Sequence, residues 1–162
     1  MPVSAGAPAP EAAALAADGR TLPLRSLAAR GPALLFFFKG SCPATAAAAG
    51  ALPRLAAVRG VSVAAISQDD AADTAAFAAE HGWGSGVLVL RDPEPWPASD
   101  AYGVQSTPTW VLVAPDGRIE RVLEGWSRDD ANALAARAAE IAGAPPAVIA
   151  SAADGGPAFR PG

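Results

Sequence analysis

The feature that most constrains the fold is a series of short apolar blocks that alternate with helix-forming segments. Residues 34–39 begin with five apolar residues and end in Lys39, residues 61–67 alternate and contain β-branched residues, and residues 87–90 form a short apolar block. Runs of this length, rich in β-branched and aromatic residues, predict strands that are buried within a sheet. Strands separated by helices pair in parallel through right-handed crossovers. The chain therefore predicts an α/β fold.

Three segments carry the start and stop signals of helices. The first runs over residues 42–58, with kinks expected at Gly50 and Pro53. The second spans residues 71–81, after a run of capping residues and before a glycine. The last helix, over residues 127–141, follows all of the predicted strands and is expected to cover one face of the sheet.

The second half of the chain also predicts a hairpin. Residues 109–114 and 118–124 flank an Asp-Gly pair, which is a common hairpin turn. Residues 91–99 hold three prolines and predict a loop, and residues 100–103 predict one helical turn. A hairpin adds antiparallel strands to the parallel ones, so the prediction is a three-layer α/β sandwich with a mixed central sheet.

The chain has 162 residues, enough for one domain with its own core. Of these residues 51% are hydrophobic, but most are alanines, so the core must depend on Leu, Val, Ile, Phe and Trp. Residues 1–14 predict a loose lead-in and residues 15–142 the folded domain. Residues 143–162 hold Pro-Pro and Gly-Gly pairs among scattered alanines and predict a disordered tail.

Composition argues against several classes of function. The net charge is −4, which gives no basic surface for nucleic acid. A single cysteine and a single histidine supply neither a disulfide nor the usual zinc ligands, and no metal or other cofactor is expected. The sequence shows neither a secretory signal nor an apolar stretch approaching the roughly 20 residues of a membrane span. We therefore expect a cytoplasmic protein without a membrane partner.

The single cysteine, Cys42, lies where the first buried strand gives way to a helix. The first backbone N–H groups of a helix are unpaired, and the helix dipole is positive at this end. A thiol placed there is shifted towards the thiolate, the form that attacks disulfides and peroxides. A lone buried cysteine is otherwise an inert apolar side chain.

Two motifs in the right order resemble a known family. The first is the segment Phe36–Thr45, with sequence FFFKGSCPAT, and the second is Tyr102–Val113, with sequence YGVQSTPTWVLV. Together they are similar to the thioredoxin-like fold in its redoxin branch, which includes the alkyl hydroperoxide reductase and thiol-specific antioxidant relatives and the TlpA-like thiol-disulfide oxidoreductases. The resemblance covers roughly residues 5–142.

The resemblance implies roles for particular residues. It implies that Cys42 is the attacking sulfur and that the Thr107-Pro108 peptide bond is cis and faces it. In this family the backbone before that proline pairs with an extended substrate segment. Ser41 and Pro43, on either side of the cysteine, join Thr107 and Pro108 as expected substrate contacts.

The chain also departs from the family pattern. The family motif is Cys-x-x-Cys, and Thr45 stands at the position of the second cysteine, so a self-contained dithiol cycle is impossible. The Thr45 hydroxyl is a candidate hydrogen-bond donor to a Cys42 thiolate. Lys39 and Leu35 stand where peroxiredoxins carry a threonine and a proline, and Phe36 stands where thioredoxin keeps a buried acid.

The preferred hypothesis is a single-cysteine thiol oxidoreductase, an antioxidant enzyme similar to a peroxiredoxin. Cys42 would attack a disulfide or a peroxide, and an external thiol would restore it. The alternative is a redox-silent module that keeps the peptide groove of the fold. A third possibility is a trap that holds a partner through a stable mixed disulfide.

Five further side chains have two interpretations each. Lys39 either lowers the pKa of the thiol by its charge or is simply solvated. His81 suits either the end of a helix or a catalytic role, and Asp69 and Asp70, which follow a strand, suit either a helix end or the rim of the site. Trp96, between two prolines, either walls a substrate groove or serves packing.

Overall fold

The structure is a computed structural model that describes residues 1–84 and 86–162. Within the described residues, seven strands form one sheet in the order β2-β1-β5-β4-β3-β6-β7. They are β1 (Ala13–Ala16), β2 (Thr21–Pro23), β3 (Ala33–Phe38), β4 (Ser62–Ser67), β5 (Val87–Arg91), β6 (Thr109–Val113) and β7 (Ile119–Glu124). The helices are α1 (Pro43–Ala48), α2 (Ala51–Ala56), α3 (Ala71–Glu80), α4 (Pro97–Ala101) and α5 (Arg128–Ala142). A separate two-stranded ladder joins β8 (Trp126–Ser127) to β9 (Phe159–Arg160).

The centre of the sheet is parallel, as the apolar blocks predict. Strand β4 pairs in parallel with β3 on one side and with β5 on the other. All six residues of β3 are buried, which agrees with its continuous apolar sequence. The outer strands β6, β7, β1 and β2 are added in antiparallel fashion. The predicted α/β sandwich with a mixed central sheet is confirmed.

The two faces of the sheet are packed differently. Alternate residues of β3 point to opposite sides, so Phe36 and Phe38 face α1, α2 and α5, whereas Phe37 faces α4 and the 3-10 helix Leu24–Ala28. The first face is rich in large rings: Phe36, Phe38, Phe77, Trp83, Trp110 and Trp126. The Phe36 and Trp110 rings meet edge to face at 4.9 Å. These rings supply the apolar area that the alanine-rich helices lack.

The predicted helix over residues 42–58 is broken rather than kinked. It divides into α1 and α2 at Ala49-Gly50. Pro53 has no N–H to donate to the carbonyl of Ala49, and the indole N–H of Trp83 donates to that oxygen instead, at 2.9 Å. The buried tryptophan therefore supplies the hydrogen bond that the proline cannot make, and the N–H of Leu52 donates to the same oxygen at 3.4 Å.

The predicted loop at residues 91–99 is wrong at both ends. Arg91 completes β5, and α4 begins at Pro97 instead of at residue 100. Proline is well suited to a first helical position, because its missing N–H would be unpaired there. The buried carboxylate of Asp92 accepts the next free N–H groups, from Ala98 at 3.0 Å and Ser99 at 2.7 Å.

The segment 1–14, predicted as a loose lead-in, lies against the sheet. The N–H of Ala9 donates to the carbonyl of Gly117 at 2.8 Å, and the N–H of Val3 donates to that of Tyr102 at 3.2 Å. Ala9 and Ala14 are buried. Backbone hydrogen bonds of this kind do not depend on side-chain pattern, so composition alone does not predict them.

Residues 143–162 also differ from the prediction, which was disorder. Ile149 is fully buried and Ala150 nearly so, and Phe159–Arg160 forms β9. Individual side chains of the domain hold the segment in place, which overrides its low-complexity composition. No helix among the described residues has the length and apolar character needed to cross a bilayer.

Candidate active site

Cys42 lies at the carboxyl end of β3, the edge at which sites gather in parallel sheets. It is the N-cap of α1, with extended backbone angles (φ −78°, ψ 124°), and Pro43 occupies the first helical position. The sulfur-bearing side chain is partly exposed, unlike the fully buried strand that precedes it. The sequence prediction placed Cys42 one residue inside the helix; as the N-cap, it has its side chain beside the free N–H groups of the first turn.

The environment of Cys42 lowers the pKa of its thiol. Burial acts in the opposite direction and is the largest single influence, but the backbone N–H groups of Thr45 and Ala44 stabilise the thiolate. The side chains of Thr107 and Thr45 add to this lowering. The first turn of the helix therefore has the effect that the sequence predicted for it.

The loop before β6 brings Thr107 and Pro108 to the cysteine. Strand β6 pairs with β3, and the register that sets Thr109 opposite Phe37 carries the preceding residues beyond the end of β3. The Thr107-Pro108 peptide bond is cis. The Cys42 thiol donates to the Thr107 carbonyl oxygen, with Sγ and O 3.0 Å apart. This carbonyl favours the neutral thiol, whereas the helix N–H groups favour the thiolate.

Thr45 lies one helical turn after Cys42 and is fully buried. Its hydroxyl oxygen has no hydrogen-bond partner among the residues that the structure describes. A buried hydroxyl without a partner costs about 1–3 kcal/mol. Because this hydroxyl also contributes to the lowered pKa of Cys42, it is placed to donate once the sulfur is charged.

Asp69 supports the loop between β3 and Cys42. Its carboxylate accepts the backbone N–H of Gly40 at 2.8 Å. A Cβ added at Gly40 would stand 3.0 Å from a ring carbon of Phe77, so the loop packs closely at this point. The sequence predicts for Asp69 only a position at the rim of the site or at a helix end. Its place just after the carboxyl end of β4 is the sequence feature that indicates a position near Cys42.

Lys39 and Trp96 lie together at the mouth of the site. The Lys39 ammonium lies 5.4 Å from the centre of the Trp96 ring, a cation–π contact. Trp96 adopts a left-handed backbone conformation (φ 58°), and its indole N–H donates to the Gln68 carbonyl at 3.3 Å. These contacts hold the indole against the backbone of Gln68. Gln68, Lys39 and Thr107 are among the residues that line a hollow of about 360 Å³. The sequence predicts separate roles for Lys39 and Trp96 but does not predict the contact between them.

The remaining predicted residues have simpler positions. Ser41 and Pro43 are exposed on either side of Cys42, and their role as substrate contacts stays a prediction. Asp70 caps α3 by accepting the N–H of Asp73 at 2.8 Å. His81 ends the same helix and packs on Phe77, with ring centres 4.3 Å apart.

No three His, Cys, Asp or Glu side chains converge on a metal-binding point within residues 1–84 and 86–162. A partly exposed, acidified sulfur between helix N–H groups and a backbone carbonyl is suited to nucleophilic attack on another sulfur or on oxygen.

Solved structures share this fold. A secreted disulfide oxidoreductase of Mycobacterium tuberculosis, homologous to Escherichia coli DsbE, matches with a TM-score of 0.67 and 22% identity over 78% of this chain and 96% of its own. The thioredoxin domain of a thiol-disulfide oxidoreductase from Bacteroides vulgatus matches with a TM-score of 0.67 and 19% identity, over 80% of this chain and 93% of its own. At these identities the likeness establishes the thioredoxin-like fold.

The sequence itself identifies the family. No curated protein matches the chain significantly. The AhpC/TSA family matches residues 5–122, which include both motifs, Cys42 and Pro108. This match covers well over half of the chain, and the chain therefore belongs to the AhpC/TSA family.

Proposed function

We propose that this protein is a single-cysteine thiol oxidoreductase, in which Cys42 carries out thiol-disulfide exchange and an external thiol completes the cycle. We further propose a cytoplasmic location, where low-molecular-weight thiols can serve as the reductant. The observation that carries the proposal is the setting of Cys42: a partly exposed sulfur at the start of α1 with a lowered pKa.

The proposed cycle has two exchange steps. The Cys42 thiolate attacks one sulfur of a substrate disulfide, a new S–S bond forms, and the other substrate sulfur leaves as a thiolate. An external thiolate then attacks the mixed disulfide at the substrate sulfur and releases Cys42 as a thiolate. Over both steps the substrate disulfide exchanges one half for the external thiol, and Cys42 returns to its starting state.

Two features of the site support a role in the first step. The helix N–H groups at Ala44 and Thr45 stabilise Cys42 as an attacking thiolate. The Thr45 hydroxyl is an unused donor beside it. A proton released when the thiol ionises can pass to water, because the side chain is partly exposed.

We propose a disulfide as the first oxidant and a peroxide as the second. A peroxide would convert the Cys42 thiolate to a sulfenic acid and leave as an alkoxide or hydroxide, which then takes up a proton. Lys39 and Leu35 stand where peroxiredoxins place a threonine and a proline that serve this reaction. The carbonyl of Thr107, by contrast, lies 3.0 Å from the sulfur, where an extended peptide disulfide would approach.

A redox-silent peptide-binding module is the second candidate. One observation favours it: residues 160–162 of the chain itself lie along Gly125 and Thr107, beside Cys42. The groove therefore accepts a polypeptide segment without any covalent bond. In this candidate the replacement of Cys42 by serine leaves the binding of a peptide partner unchanged.

The test combines thiol titration with turnover. The rate of Cys42 alkylation by iodoacetamide, measured against pH, gives the pKa of the thiol. The proposal expects a value clearly below about 8.5, the unperturbed value. The protein should also exchange with glutathione mixed disulfides when free glutathione is supplied, and Cys42→Ser should abolish this reaction. Mass spectrometry after mild peroxide and a dimedone trap reports on the peroxide reaction.

Two results would overturn the proposal. The first is an ordinary thiol pKa with no exchange above that of the Cys42→Ser variant; it would leave the peptide-binding candidate. The second is turnover with peroxide but not with disulfides, which would reverse the order of oxidants.

A further inference from the structure

The segment that follows α5 forms a defined strap, residues 144–162, outside the part of the chain that matches the AhpC/TSA family. Asn132 of α5 anchors its first half. The Asn132 side chain donates to the carbonyl of Ala150 at 2.8 Å and accepts the N–H groups of Ile149 at 2.9 Å and Ala150 at 3.1 Å. One amide side chain thus satisfies three backbone groups, and the Ile149 side chain is fully buried beneath them.

A second anchor joins the strap to α2. The Arg54 guanidinium meets both carboxylate oxygens of Asp154, at 2.7 and 3.0 Å, and donates to the carbonyl of Ile149 at 3.2 Å. A bidentate ion pair of this kind fixes the relative orientation of the two side chains as well as their distance. It holds Asp154, which lies between Ile149 and β9 in the chain, against α2.

The second half of the strap runs beside the site as a strand. Phe159–Arg160 pairs with Trp126–Ser127, and the indole N–H of Trp126 donates to the carbonyl of Pro157 at 2.8 Å. The N–H of Arg128 donates to the carbonyl of Ala158 at 2.8 Å. The strap therefore uses the edge of β8 in the way that a bound extended peptide uses a sheet edge.

The end of the strap reaches the groove beside Cys42. A Cβ added at Gly162 would lie 2.7 Å from the Thr107 carbonyl oxygen, the atom that accepts the Cys42 thiol. On its other side the strap touches Gly125, where an added Cβ would lie 2.7 Å from the Gly162 nitrogen and 2.8 Å from the Arg160 carbonyl oxygen. The close fit requires glycine on both sides of the contact.

From this path we infer that the strap is an autoinhibitory occupant of the peptide groove. It must leave before an extended segment of a protein substrate can reach Thr107 and Cys42, whereas a small thiol or disulfide reaches the partly exposed sulfur without its removal. This inference rests on the proposed function for its biological meaning. The occupancy itself does not depend on the redox activity of Cys42.

Acidity does not provide the release within the neutral range. The hydrogen bonds from Arg54 lower the pKa of Asp154 to about 2, and the charge of Arg128 acts in the same direction. A depressed pKa means that the contact is complete above the ordinary pKa of an aspartate, near 4, and is lost only as the pH falls towards 2. Protonation of Asp154 therefore does not release the strap at neutral pH, and we assign the release to competition by an extended peptide segment.

The experiment compares the rates at which two reagents of different size alkylate Cys42. Iodoacetamide is small, and a maleimide carrying a long polyethylene glycol chain needs open space around the sulfur. Because both react with the same thiolate, the ratio of their rates reports access to Cys42 and is independent of its pKa. The variants are Asp154→Asn combined with Asn132→Ala, which loosens both anchors, and Gly162→Val, which displaces the end of the strap from Thr107.

We expect both variants to raise the rate with the bulky maleimide about threefold to tenfold, while the rate with iodoacetamide stays unchanged. Asp18→Asn is the matched control, since it breaks an ion pair of the same 2.7 Å length at the β1–β2 turn and should change neither rate. Thermal unfolding of each variant shows that the domain remains folded.

The inference is wrong if the maleimide rate stays at the wild-type value in both variants, or if the two reagents accelerate by the same factor. Neither result bears on whether Cys42 exchanges disulfides. Conversely, an ordinary thiol pKa would remove the proposed function and leave this measurement valid.

Discussion

Two buried hydroxyls without hydrogen-bond partners lie on opposite faces of the sheet. Thr45 is fully buried in the first turn of α1, and Tyr102 is 1% exposed at the end of α4. Neither oxygen finds a partner among the described residues. Each hydroxyl therefore carries the same penalty, about 1–3 kcal/mol for an unpaired buried group.

Their surroundings give this penalty different meanings. Tyr102 packs on Phe37 in an apolar layer, and burial raises the pKa of its phenol to about 12, against an opposing effect from the charge of Arg25. The phenol stays neutral, and the Phe37 ring that it packs on does not ionise. Thr45 stands beside a thiol that gains a negative charge when it ionises, and its hydroxyl then has an acceptor. An unpaired buried hydroxyl lowers the stability of the fold when its neighbours stay neutral, as at Tyr102. The same unpaired hydroxyl can stabilise a neighbour that becomes negatively charged, as Thr45 does for Cys42.

The largest effect is expected when Thr45 becomes the second thiol of the family motif. In Thr45→Cys the introduced thiolate attacks the Cys42 sulfur of a glutathione mixed disulfide, forms an intramolecular disulfide and releases glutathione. In the wild type no internal thiol can do this, so the mixed disulfide persists until an external thiol is added. Mass spectrometry of the mixed disulfide over time distinguishes the two cases.

Thr45→Ser serves as the control for Thr45→Cys, because it changes the same buried position without adding a thiol. A mixed disulfide that persists equally in Thr45→Cys and Thr45→Ser would show that position 45 does not face the Cys42 sulfur. The comparison between the two hydroxyls would then fail, because Thr45 would be as remote from the reaction as Tyr102.

A smaller change is expected for Thr45→Val, which removes the hydroxyl and keeps the shape. Without this donor the Cys42 thiolate is less stabilised, so the pKa of the thiol rises. The pH dependence of iodoacetamide alkylation measures this shift. Tyr102→Phe, measured in the same way, should leave the pKa of Cys42 unchanged. A pKa that stays the same in Thr45→Val would assign the lowering to the backbone N–H groups alone.

The sequence was sufficient to predict the parts of the structure that depend on local pattern. The strands β3, β4 and β5 followed from their apolar runs, and the cap of α3 followed from Asp70. The family resemblance predicted that Cys42 faces the Thr107-Pro108 segment. In the structure the Cys42 Sγ and the Thr107 carbonyl oxygen are 3.0 Å apart.

The strap and the mouth of the site could not be predicted in this way. Arg54 and Asp154 stand 100 positions apart, and a single pair of charges leaves no periodic signal in a sequence. The contact of Lys39 with Trp96 depends likewise on how two loops are placed by the finished fold. The composition of residues 143–162 predicts disorder because the segment contains few large apolar side chains. The segment is ordered in the structure because Asn132 and Arg54 of the domain form hydrogen bonds with it.

The smallest effect is expected for Tyr102→Phe. Removing a buried hydroxyl that has no partner among the described residues should raise the free energy of unfolding by about 1 kcal/mol, the lower end of its desolvation penalty, because the ring keeps its packing and a desolvated polar group is lost. Urea denaturation measures this through a higher midpoint at an unchanged slope. A loss of stability larger than about 1 kcal/mol would show that the hydroxyl makes a hydrogen bond in solution. Tyr102 would then be a satisfied core residue, and Thr45 would stand alone as the donor that the fold leaves unpaired beside its thiol.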